Sequence, residues 1–174
     1  MGLINILTFP GVVVHELARR FFCRLSRVAI LDAKYFGIGD PGGYVDYEPP
    51  RTAWQLVMIE IGPFFVNTIL GAIIATPGVI PLLLFGIDSG SVLDYVLVWL
   101  GASIAIHAFP TVEDAKIVKD IANAKETPAL TQVLGGPLSW AIYLGSLGSL
   151  YWLDVVYGIA IVILVPQLLL MLKG

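Results

Sequence analysis

The chain has 174 residues, of which 57% are hydrophobic and only 13% charged, with a net charge of -3 and a mean hydropathy of +0.87. A soluble domain is about 45–50% apolar and about 25% charged, so the charge needed to cover a water-facing surface is missing. With no basic run and one cysteine, Cys23, a nucleic-acid partner, an internal disulfide framework and a multi-cysteine zinc site are all excluded.

Taken in chain order, the apolar runs predict an all-α integral membrane protein. It forms a single polytopic domain over residues 1–174, with about five spans, each needing roughly 20 mostly apolar residues. The first span covers about 3–25 and contains Pro10, His15, Glu16 and Arg19. With those charged residues and no small-residue cleavage site after them, it does not read as a signal peptide. Residues 28–47 alternate in part and carry turn signals at Gly39-Asp40-Pro41-Gly42-Gly43, which predicts a small β-hairpin. The second span covers about 53–75 and is interrupted by Glu60 and Gly62-Pro63; an outer loop follows at about 76–90. The third covers about 91–110, with Asp94 near its start and His107 near its end.

Residues 112–124 set Val112, Ile117, Ile121 and Ala124 against Glu113, Lys116, Lys119 and Asp120, the pattern of an amphipathic helix lying on the inner membrane face. The apolar stretch from Val133 to Leu172 is too long for one span and is predicted to fold back near Tyr151–Asp154, giving spans at about 133–150 and 153–172. With the N-terminus outside and the C-terminus cytoplasmic, all ten Lys and Arg residues fall on the inner side, as positive-inside bias requires. Trp54, Tyr151 and Trp152 read as interfacial anchors, Cys23 as a packing residue, and Glu60 and Asp94 as partners of neighbouring helices or span-end groups.

An ionisable side chain at membrane depth is costly unless paired, and marks a site by default. His15-Glu16-Leu17-Ala18-Arg19 has the first half of a His-Glu-x-x-His zinc motif, in which two histidines one turn apart bind the metal and the glutamate is the base. The run Val14 to Cys23 around it resembles the first catalytic helix of the site-2 protease family of intramembrane zinc metalloproteases. Gly42-Gly43-Tyr44-Val45 is similar to that family's Gly-Gly-Tyr-Val stretch. Gly62-Pro63 with Asn67 is similar to its Gly-Pro-x-x-Asn element, with one extra residue. His107-Ala108-Phe109-Pro110 through Asp114 is similar to the later helix bearing the aspartate ligand, most of all in the short archaeal branch.

The resemblance implies intramembrane proteolysis of a membrane-protein or peptide substrate within the lipid bilayer. It implies zinc held by His15 and Asp114, Glu16 as general base, His107 steadying the oxyanion, and substrate lying against Gly43, Tyr44, Val45 and Asn67. The departure is Arg19, which stands at the second histidine and has no lone pair for a metal. Three arrangements accommodate it. His107 completes a His15/His107/Asp114 site; or the site is metal-free, with Arg19 paired to Glu16 or Asp114, and the protein is a binding or scaffolding pseudoprotease; or Arg19 is a substitution that inactivates an ordinary protease.

Overall fold

The computed structural model describes residues 2–37, 42–125, 127–148 and 152–173. Helix α1 (Gly2–Leu7) gives way at Thr8 to α2 (Phe9–Leu25). Pro10 sits in the first turn of α2, where a missing N–H costs nothing. Gly11, His15, Arg19 and Cys23 recur every four residues and are buried, whereas Leu17, Phe21 and Leu25 are 48–58% exposed. A water-soluble helix would bury the second stripe and expose the first, so α2 is polar inside and apolar outside.

Helix α2 ends in a Schellman motif. Val28 N–H donates to the Cys23 carbonyl at 2.9 Å and Arg27 N–H to that of Arg24 at 3.0 Å, with Arg27 in the left-handed region at φ 56°. The turn delivers the chain into β1 (Ile30–Lys34), which pairs antiparallel with β2 (Tyr44–Tyr47) in the register Ala33↔Val45 and Lys34↔Tyr44. The two strands form the small sheet expected at 28–47. The expected turn residues Gly39, Asp40 and Pro41 lie outside the described residues. One face of the sheet packs Val45, Ala33 and Tyr47 on Cys23 of α2 and Ile59.

Helix α3 (Ala53–Phe85) opens with a capping box between Thr52 and Gln55 and runs for 33 residues, about 50 Å at the helical rise. It overruns the expected span of 53–75 by ten residues, so most of the expected outer loop is helix. Pro77 and Gly78 have the look of a turn, but the helix continues past them against α4 (Val92–Ile106). A Cβ added at Gly78 would stand 2.4 Å from the Asp94 carbonyl oxygen. One at Gly101 would stand 2.6 Å from both Ala75 Cβ and the Gly71 carbonyl oxygen. Small residues let the two backbones approach this closely, as in membrane helix pairs. Helix α3 stops at Gly86, whose φ of 91° few other residues adopt. The start of α4 is capped by Ser91 and Asp94, so Asp94 is a helix-end group.

Helix α4 ends at Ile106, short of the expected 110, with His107 as its cap. Helix α5 (Val112–Ala122) follows after Thr111, which caps Asp114 N–H. It packs one face on the other helices and leaves Ile117 and Ile121 of its expected apolar face uncovered. Ala115, Val118 and Ala122 pack with Leu56, Val57, Ile61 and Ile142, while Ile117 and Ile121 stay exposed. Helix α6 (Ala129–Gly148) begins four residues before the expected 133. Tyr151 lies outside the described residues; Trp152 at φ 65° precedes α7 (Leu153–Lys173).

Helices α3 and α7 are long and apolar enough to cross a membrane, and α4 is apolar but shorter. Only 28% of the apolar window of α3, and 17% of that of α7, is buried inside the molecule. The core helix of a soluble domain would bury most of such a stretch, so these helices present large uncovered apolar faces.

Candidate functional site

The buried stripe of α2 meets three other elements at one depth: Glu60 on α3, the C-terminal end of α4, and Asp114 in the first turn of α5. Arg19 lies at the junction. Its Nη2 is 3.0 Å from Glu60 Oε2 and 3.1 Å from Asp114 Oδ2, and its Nη1 is 3.8 Å from Glu16 Oε2. The Arg19, Glu16 and Glu60 side chains are 9%, 8% and 3% exposed, and that of Asp114 is 30% exposed. Tyr47 of β2 donates its hydroxyl to the other oxygen of Glu60. One guanidinium therefore ties α2, α3 and α5 together, and the sheet is joined to them through Glu60. Burial, and next the Glu60 carboxylate, push the Tyr47 phenol above its usual range.

The two histidines meet on the other side of the cluster. His15 Nδ1 donates to the His107 carbonyl at 2.8 Å, and His107 Nε2 is 2.7 Å from Thr8 Oγ1. The Asn67 amide nitrogen lies 2.8 Å from the His107 carbonyl oxygen, 3.2 Å from that of Ile104 and 3.4 Å from that of Gly11. The last carbonyls of a helix have no partner within it; here His15 and Asn67 supply the partners and fix the end of α4 against α2 and α3.

A pocket of about 320 Å³ opens beside these groups. His15, Glu16, Arg19, His107 and Asp114 line it from the helices, and Gly43 and Tyr44 from the sheet. Two of the candidate substrate contacts lie elsewhere. Val45 is buried against Cys23 and Ile59, and Asn67, with no exposed surface, holds backbone carbonyls. Tyr44 turns its hydroxyl to Asp32 Oδ2 at 2.6 Å, which holds the Asp32 carboxyl below its usual range. Gly62 leaves space that the Phe22 ring fills, and neither Gly62 nor Pro63 lines the pocket.

Glu60 is the site residue that sequence reasoning set aside as structural. A carboxylate in an apolar helix needs a cation, but the sequence does not say which, and Arg19 is 41 positions away. Among the described residues, no group of three or more His, Cys, Asp or Glu side chains is arranged to hold a metal ion.

No family model matches the chain, and neither a curated protein nor a solved structure is significantly similar to it.

Proposed function

We propose that the chain is a multi-pass membrane protein with a site-2-protease-like core that binds a ligand or partner at its pocket and does not cleave peptide bonds. The observation that carries this reading is the pairing of Arg19 with both Glu60 and Asp114. A zinc site of the type the resemblance implies would need the Asp114 carboxylate and a second imidazole. The donors present do not fit that ion: Asp114 Oδ2 is held by Arg19, His107 Nε2 faces Thr8, and a fixed positive charge stands beside the remaining ligand, His15. A guanidinium cannot be deprotonated to make way for a metal.

In the membrane part of the proposal, α2, α3, α4, α6 and α7 cross the bilayer. The N-terminus is outside, the C-terminus is cytoplasmic, and the sheet and α5 are on the inner side. The outward apolar stripe of α2 and the uncovered faces of α3 and α7 support it, as does the basic bias of the inner loops. Trp54 and Trp152, 46% and 61% exposed, suit the headgroup level.

Metal content of the purified protein, measured by elemental analysis beside an Arg19→His variant, tests the proposal. No zinc is expected in the chain as it stands, whereas the variant gains a ligand and loses the cation. Near-stoichiometric zinc in the unaltered protein, or cleavage of a membrane peptide that Glu16→Gln abolishes, would overturn it.

A further inference from the structure

We infer that the pocket beside Arg19 receives a primary ammonium group. The inference rests on the reading that Arg19, and not a metal, occupies the centre, and it names the ligand class of that same pocket. Three carboxyl groups, Glu16, Glu60 and Asp114, converge on one guanidinium, so acidic groups outnumber the cation available to pair with them. Arg19 is shared unequally: its short contacts go to Glu60 and Asp114, and Glu16 stands off at 3.8 Å. Glu16 Oε2 is fully buried and has no hydrogen-bond partner, on a side chain only 8% exposed that lines the pocket. A buried carboxylate oxygen left without a donor is costly, and a ligand bearing N–H groups and positive charge meets both needs.

His15 and Asp114 add acceptors to the pocket, which Arg19, Asn5 and Thr111 also line. A neutral His15 ring that donates from Nδ1 to the His107 carbonyl keeps its lone pair on Nε2. Asp114 gives Oδ2 to Arg19, and its second oxygen has no hydrogen-bond partner among the described residues. A primary ammonium carries three donors on one compact charge and has no acceptor, matching Glu16, His15 and Asp114 one to one. A quaternary ammonium has the charge without the donors, and an anion would meet the excess carboxylates. Such an ammonium reaches a membrane pocket either as a soluble alkylamine or as the ethanolamine headgroup of a phospholipid.

The test is calorimetric titration of butylammonium chloride into the full chain in phosphatidylcholine nanodiscs. Saturable binding to one site is expected. It weakens about tenfold or more for tetramethylammonium, which loses the charge-assisted hydrogen bonds, and by a similar factor in Glu16→Gln. Asp46→Asn, on the exposed strand, leaves it unchanged. Equal affinity for the two cations would reduce the effect to charge attraction and overturn the inference, as would no saturable binding; the comparison needs no variant to fold. Replacing part of the lipid with phosphatidylethanolamine assigns the source: competition with butylammonium identifies the headgroup, and an unchanged affinity identifies a soluble amine. Zinc in the unaltered protein sinks the proposed function, whereas a zinc-free protein that binds no butylammonium sinks this inference alone.

Discussion

The charged junction around Arg19 and the seam between α3 and α4 both hold α3 to its neighbours, by opposite means. At the junction, α2, α3 and α5 are joined by a guanidinium, two short ion-pair contacts and a tyrosine hydroxyl. At the seam, Gly71, Ala75, Gly78, Gly101 and Ala105 bring backbones together with no charged side chain between them. The junction depends on the geometry of its short contacts from Arg19 to Glu60 and Asp114 and is intolerant of losing the cation. The seam depends on volume, and any residue small enough will serve. Polar specificity is thus gathered where the pocket is, and the α3–α4 pair behind it is a rigid wall whose chemistry is plain.

The largest expected effect comes from removing the cation. Arg19→Met keeps much of the length and loses the charge, leaving the buried Glu16 and Glu60 and the half-buried Asp114 without a counter-ion. Breaking a buried pair this way costs about 3–5 kcal/mol, read from denaturant unfolding in micelles. Combining it with Glu60→Gln should recover part of the loss, because the most buried of the stranded carboxylates is then neutral. A loss below about 1 kcal/mol, the size of an exposed pair, would show that the junction is solvated and that the contrast with the seam is false.

The seam is tested by volume alone. Gly101→Val places a branched side chain where even a Cβ would be 2.6 Å from Ala75 and from the Gly71 carbonyl. Overpacking of this kind costs up to about 3 kcal/mol. If the two regions are independent, Gly101→Val and Arg19→Met add within about 0.5 kcal/mol in the double variant. A larger interaction would mean that moving α4 moves its C-terminal end, where His15 and Asn67 hold the His107 carbonyl, and that wall and junction are one unit.

These regions differ as well in how far the sequence revealed them. His15, Glu16 and Arg19 were legible because four-residue spacing on one helix is local information, and the hairpin because alternation and turn residues are local too. The partner of Arg19 on α3 was not, since Glu60 is 41 positions away and its role depends on how α3 packs on α2. The length of α3 was misread for a related reason. Pro77 and Gly78 signal a turn by propensity, but packing against the Asp94 backbone uses that glycine as a contact surface. On α5 the sequence marks Ile117 and Ile121 as the apolar face, and they stay uncovered by protein, while what it does not show is that the smaller Ala115, Val118 and Ala122 pack on the neighbouring helices.

The smallest effect concerns the outer edge of the junction, where it meets the sheet. Tyr47→Phe removes the hydroxyl that Glu60 accepts and strands one buried carboxylate oxygen, a cost of about 2 kcal/mol. The phenol pKa is raised in the folded protein, first by burial and then by Glu60, so folding favours its protonated form. That contribution is complete below the unfolded phenol pKa of about 10 and declines as pH rises beyond it, because the unfolded chain ionises first. Unfolding curves at about pH 8 and about pH 11, below and above the unfolded phenol pKa of about 10, should therefore show the wild type losing more stability than Tyr47→Phe. Equal losses would mean that Tyr47 is solvated and its proton is not held by Glu60. The junction would then end at α3, and the sheet would be held to the helices by Cys23, Val45 and Ile59, by packing alone, as the seam is.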